Sequence, residues 1–245
     1  MCNLFIAALA LHLNQPMLAR AHLIKHPRHS TRKLPSQAPI VPQRRTVEEP
    51  LWRPNTQFTN SQLPASARPW LLDDGSLTGR LIELNRGAFS VRRLSQTWQT
   101  PLLSERRLLG LQPRQLALVR EVLLLLAGTP VVFARSVFPY TSLTGPLAHL
   151  RRLQNRSLGA ILFKHAGRHR SPFELARIAG DSDYLPVAQQ QPAAAWGRRC
   201  RFEIAGNKLL VSEVFLQAFR PWSAPMPVHR THRGVVSAAI VPSNK

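Results

Sequence analysis

Leu116-Ala117-Leu118-Val119-Arg120-Glu121-Val122-Leu123-Leu124-Leu125-Leu126, then Ala127-Gly128-Thr129-Pro130, then Val131-Val132-Phe133-Ala134-Arg135-Ser136-Val137-Phe138: this stretch decides the fold. Two apolar runs of strand length enclose a short glycine-proline turn, the pattern of an antiparallel hairpin. A second such unit follows downstream, with Arg201–Ile204 and Leu209–Leu216 around Ala205-Gly206-Asn207-Lys208. Phe89–Leu94 and Pro172–Ile178 are further strand candidates, with loop from Ser95 through Pro101. Leu77, Leu81 and Leu84 recur at helical spacing behind Ser76, a good N-cap, with Asp73 and Asp74 placed to suit the helix dipole. Pro146–Leu153 and Ser157–Phe163 look like short helices. The expected class is α+β: a single domain with a roughly six-stranded antiparallel sheet and a few helices packed on it.

The domain is expected over residues 67–222. Residues 1–66 read as a basic, proline-rich, disordered extension that has no acidic residue before Glu48. Its opening Met1–Leu13 run is apolar but about half the length that spans a bilayer, so no transmembrane segment is expected. Residues 181–195 are polar and rich in alanine, proline and glutamine, an inserted loop. Residues 223–245 form a flexible tail.

The net charge of +21 raises the question of a polyanionic partner. The arginines, however, are scattered in pairs from Arg44-Arg45 to Arg198-Arg199, with no recognition helix, zinc finger or aromatic-interleaved basic patch. Nucleic-acid binding is therefore not expected as the main function, and a small anionic substrate fits the composition better. The 12 glycines form no phosphate-cradling loop, and the nine histidines give no HExxH or Cys/His spacing. His26/His29 and His165/His169 are spaced as a metal could use, but both pairs sit in basic, surface-like segments and read as solvated. Cys2 and Cys200 stand too far apart in sequence for a paired zinc motif or a disulfide framework, in keeping with a reducing compartment. No metal and no cofactor are expected.

Three charges interrupt the apolar strands. Strand alternation puts Arg120 on one face with Leu118, Val122 and Leu124; Arg135 with Phe133 and Val137; and Glu213 between Val211 and Phe215. A buried ion without a partner costs several kcal/mol, so these residues satisfy one another, face water, or meet a ligand. A buried arginine suits a carboxylate, which its donors match bidentately. A glutamate across the same cavity suits a hydroxyl or a proton in transit. Together they describe a small, flat acid carrying a hydroxyl.

At these strands the sequence resembles the chorismate lyase family, over about residues 70–217. The resemblance rests on the order and spacing of Arg120-Glu121-Val122-Leu123-Leu124, Ala134-Arg135-Ser136-Val137 with Pro139, and Ser142-Leu143-Thr144-Gly145-Pro146. Ser157-Leu158-Gly159, Leu162-Phe163, Trp196-Gly197-Arg198-Arg199 and Leu209–Leu216 continue it. It implies a lyase that removes pyruvate from chorismate to leave 4-hydroxybenzoate, as the first step of ubiquinone synthesis in a bacterial cytoplasm. It carries the family's binding arginine to Arg120 and its glutamate to Glu213, both catalytic. It carries two main-chain substrate contacts to Leu77 and Leu158. Arg135 is either a supporting residue behind that site or the ion-pair partner of Glu121. The 181–195 insertion could alter a flap over the site. A monomer is expected. The alternative is a non-catalytic domain of the same fold that senses a small aromatic acid; the proline-rich 1–65 segment does not look like the DNA-reading helices such a regulator carries.

Overall fold

In the computed structural model, residues 48–84, 88–165 and 167–223 are described, all in a compact unit that begins at Arg45. Both hairpins form. Strands β3 (Ala117–Leu126) and β4 (Thr129–Pro139) pair antiparallel, as do β7 (Ala195–Ile204) and β8 (Asn207–Phe215). Each turn is only two residues long, Ala127-Gly128 and Ala205-Gly206, and all four residues have positive φ, between 47° and 78°. That twist suits a two-residue hairpin, and glycine supplies it freely while alanine does not. Thr129 and Pro130, expected in the first turn, belong instead to β4, where the register shifts beside Leu125. A strand tolerates proline at such an irregularity.

With β1 (Arg53–Pro54), β2 (Phe89–Gln99), β5 (Arg168–Arg170) and β6 (Glu174–Ile178), the described residues form one eight-stranded antiparallel sheet. Its order is β1-β6-β7-β8-β4-β3-β2, and β5 pairs with the far end of β7. The two strands beyond the expected six are β1 and β5, of two and three residues. β2 runs to Gln99, so the loop expected from Ser95 is the second half of an edge strand paired with β3.

Both faces of the sheet are covered. On the front lie α1 (Arg68–Leu72), α2 (Leu77–Leu84), the 3₁₀ segment Gly145–Arg152 and α4 (Leu158–Leu162), burying Leu118, Val122, Leu124, Leu209 and Phe215 beneath Trp70, Leu81, Leu147 and Leu162. On the back, Phe133, Leu123 and Val214 pack with Tyr184 and Leu185, so the 181–195 segment covers the back and is no flap over the front face. Its last residue, Ala195, already belongs to β7. Helix α3 (Leu103–Leu109) also lies on the back, with Leu109 packed near Val119, Val137 and Leu210.

The domain begins earlier than residue 67. Arg53 and Pro54 pair with β6, and Leu63 is buried in the front core. The Glu49 carboxylate accepts hydrogen bonds from the amides of Leu103 (2.6 Å) and Ser104 (2.8 Å) at the start of α3. Proline density in this segment breaks regular elements without preventing packing, which is why composition alone misplaced the boundary. Residues 1–47 and the 224–245 tail lie outside the described residues.

Candidate active site

Arg120 and Glu213 rise from the same, front face of the sheet. Arg120 stands opposite Ser136, and Ser136 opposite Val211, so Glu213 lies two strands over and two residues along. At ordinary strand spacing and rise, the two Cα atoms are about 12 Å apart.

Arg120 is 1% exposed. Its Nη2 donates to the carbonyls of Gln154 (2.7 Å) and Arg156 (2.9 Å), its Nε has no partner, and no carboxylate pairs with it among the described residues. Burial, with the nearby Arg93 charge, brings its pKa down to about 10. The guanidinium remains charged at neutral pH, held in an apolar wall with an incomplete set of acceptors.

The Gln154–Arg156 turn that Arg120 grips leads directly into α4. Ser157 caps that helix, accepting from the Ala160 amide, while its hydroxyl donates to Thr78 Oγ1 at 2.9 Å. Ser76 caps α2 as expected, accepting from the Gly79 amide at 3.2 Å. Leu77 and Leu158, the first residues of α2 and α4, are therefore brought together over the sheet, both buried. Gly159 permits the approach, since a Cβ there would sit 3.0 Å from Thr78 Oγ1.

Beneath these helix starts is a small cavity. Leu77, Gly159, Phe173, Arg198, Cys200 and Glu213 are among its walls. Glu213 and Leu77 thus line it; Arg120 and Leu158 lie on the same face without forming its wall. Burial pushes the Cys200 thiol up to about 12, so at neutral pH it is a neutral wall residue.

The residue that the sequence reading missed is Arg198. Its Nε donates to Glu213 Oε2 at 2.7 Å, and its Nη1 to the carbonyls of Trp70 (2.6 Å) and Asp73 (2.9 Å). It therefore fixes one oxygen of Glu213 and ties α1 to the sheet. Alternation back from Phe202 and Cys200 places Arg198 on their face, a signal obscured by reading Arg198-Arg199 as one more scattered basic pair. Asp73, expected to serve the α2 dipole, pairs instead with Arg80, at 2.9 and 3.2 Å. Burial opposes the Asp73 charge, but the Arg80 guanidinium outweighs it, with help from Arg198 and the Gly75 amide, and holds this carboxyl below its ordinary value.

Arg135 is on the back. It donates to Glu105 (2.7 Å) and Glu121 (2.6 Å), so of the two expectations for it the structure shows the ion pair with Glu121, away from the cavity. Burial works against its charge, yet Glu105 and Glu121 raise its pKa above the ordinary arginine value. No cluster of groups suited to a metal occurs among the described residues, and no described helix is long and apolar enough to cross a membrane.

Fold and geometry together define an α+β domain: one antiparallel sheet whose covered face carries a glutamate-lined cavity and a buried arginine with no carboxylate partner among the described residues. The family model for chorismate lyase matches residues 46–224, and the chain belongs to that family. The match begins ahead of residue 67, in keeping with the packing of residues 48–66. The chain is 46% identical over 159 residues to a protein named probable chorismate pyruvate-lyase from Azoarcus sp. (strain BH72), covering 62% of this chain and 84% of that protein. It is 42% identical over 161 residues to one of the same name from Aromatoleum aromaticum, covering 63% and 86%. Among solved structures, it is similar to the C-terminal domain of the histidine utilization repressor from Pseudomonas syringae pv. tomato, at 10% identity and a TM-score of 0.45, over 58% of this chain and 99% of that one.

Proposed function

We propose that this domain cleaves chorismate to 4-hydroxybenzoate and pyruvate, with Arg120 and Glu213 as its catalytic and substrate-binding residues. Arg120 carries the proposal: a cation almost wholly buried, without a carboxylate partner among the described residues, on the face that Glu213 shares. Arg120 binds the ring carboxylate, and Glu213 holds the ring hydroxyl. The main-chain amides of Leu77 and Leu158, in first turns where helical amides lack internal partners, complete the contacts from above.

The chemistry asks little of the protein beyond position and charge. The bond between ring carbon and ether oxygen breaks, and its electron pair leaves with the enolpyruvyl group. The neighbouring ring carbon, which bears the hydroxyl, loses its proton, and the ring becomes aromatic. The departing group takes up a proton at its methylene carbon and becomes pyruvate. Atoms and electrons balance with no oxidant, reductant or co-substrate. Glu213 sits where it can assist the proton transfer, while Arg198 holds one of its oxygens and leaves the other for the substrate. Holding one reactive conformer and stabilising charge on the leaving group account for the acceleration. We extend this reading, on the family resemblance alone, to the first step of ubiquinone synthesis in a bacterial cytoplasm.

The test is incubation with chorismate, without metal or nucleotide, following both products. Equimolar pyruvate and 4-hydroxybenzoate, abolished in Glu213→Gln, is the expected result. Binding of 4-hydroxybenzoate with no turnover identifies a sensor domain and overturns the lyase reading.

A further inference from the structure

Arg170 is the cationic side chain at the cavity that the site above leaves unused. It ends β5, at the break where Ser171, Pro172 and Phe173 separate β5 from β6 along the same strand β7. The break is fixed by two hydrogen bonds, from the Ser171 amide to the Arg201 carbonyl (2.9 Å) and from the Arg201 amide to Ser171 Oγ (3.0 Å). The half-buried Arg170 guanidinium lies over the Phe173 ring, 4.5 Å from its centroid. Among the described residues, none of its nitrogens makes a hydrogen bond or an ion pair.

Its neighbours are engaged. Arg198 is bound to Glu213 and to two main-chain carbonyls. Arg168 donates to the carbonyls of Phe163 and His165, and its guanidinium lies over Phe163. Arg170 lines both the inner cavity, with Glu213, and an adjoining outer recess shared with Asp74 and Arg168. It stands at the boundary between the two, with a free planar fork of donors and an aromatic ring that fixes its plane.

Order across the sheet supplies the ligand. From β3 through β8 to the β5–β7 edge, the front face presents Arg120, then Glu213, then Arg170. Chorismate presents a ring carboxylate, the hydroxyl opposite it and, on the carbon beside the hydroxyl, an enolpyruvyl ether with a second carboxylate. With the first two on Arg120 and Glu213, the third lies at the Glu213 end of the ring, away from Arg120, and Arg170 lines the cavity at that end. Resting on the lyase reading above, we infer that Arg170 binds the enolpyruvyl carboxylate and so selects a dicarboxylate substrate over a monocarboxylate. It also holds that carboxylate as the ether bond breaks, at the point where pyruvate leaves for the outer recess.

The experiment measures turnover of chorismate and the Kd of 4-hydroxybenzoate for the wild type, Arg170→Gln and Arg170→Lys. 4-Hydroxybenzoate has no second carboxylate, so its Kd stays within about twofold in both variants and reports an intact fold and inner cavity. Because Arg170 is partly open to water, kcat/KM for chorismate falls by roughly tenfold to a hundredfold in Arg170→Gln, with a smaller fall in Arg170→Lys. Parallel losses of product affinity and turnover would mean that Arg170 shapes the whole cavity, and would overturn the inference. So would unchanged turnover in both variants while the wild type is active. If the wild type itself fails to turn over chorismate, the lyase reading is what has failed.

Discussion

Replacing Arg120 with methionine separates a binding residue from a structural one. Its guanidinium sits at about 10 rather than the ordinary 12.5, which makes the charged form about 3 kcal/mol less favourable in the folded protein than in the unfolded chain. The pKa is depressed for a basic group, so this cost is present at all pH values below about 10, neutral pH included. Against it stand the two hydrogen bonds to the Gln154 and Arg156 carbonyls, at about 1 to 1.5 kcal/mol each. The two contributions nearly cancel. Methionine has an apolar stem that suits Leu118, Val122 and Leu124, so ligand-free stability in urea should shift by no more than about 1 kcal/mol. Affinity for 4-hydroxybenzoate should fall by about 2 to 5 kcal/mol, the usual cost of removing one partner of a buried charged pair. Calorimetric titration with the product and urea denaturation without it read the two numbers independently. A variant that loses 3 kcal/mol or more of ligand-free stability yet binds product normally would refute the reasoning, and Arg120 would be an anchor for the 154–156 turn alone.

Three other outcomes follow from the structure. Arg135→Ala leaves Glu105, which is 1% exposed, without its cation; it should cost about 3 to 5 kcal/mol in urea denaturation while leaving product affinity unchanged. Ala205→Asn, at φ 49° in a two-residue hairpin turn, should raise stability by about 0.5 to 1 kcal/mol, measured as an increase in the urea midpoint. Asp73 has a lowered pKa, so its stabilising contribution is present above the ordinary value of 3.8 and is lost as pH falls through the lowered one. Asp73→Asn should therefore melt lower than the parent at pH 7, with the gap closing in melting curves taken below about pH 4.

The two hairpins were legible because each has continuous apolar runs on both sides of a glycine, a signal that survives without any tertiary context. Arg120's company with Leu118, Val122 and Leu124, Glu213's place between Val211 and Phe215, and Arg135's company with Phe133 and Val137 all followed from strand alternation alone. Alternation gives a side within one strand but not which of two covered faces that side becomes. Both readings of Arg135, a residue behind the site or the partner of Glu121, therefore stay open from sequence, and only the position of α3 and Glu105 on the back of the sheet decides between them. Ser95–Gln99 was hidden because an edge strand half open to water has few apolar positions. Residues 48–66 were hidden because their packing runs through isolated groups, Leu63 and the Glu49 carboxylate, and not through a periodic stripe. Arg170 carried no signal at all: its place beside Glu213 depends on the break in β5–β6, which only the folded sheet reveals.

The most direct measurement is a crystal structure of the protein with 4-hydroxybenzoate. The ligand should lie on the front face beneath α2 and α4, its carboxylate bonded to the Arg120 guanidinium and its hydroxyl to Glu213, with Arg170 unliganded. A ligand bound the other way round, with its carboxylate on Arg198 or Arg170, or one seated away from this face, would contradict the assignment of Arg120 and Glu213.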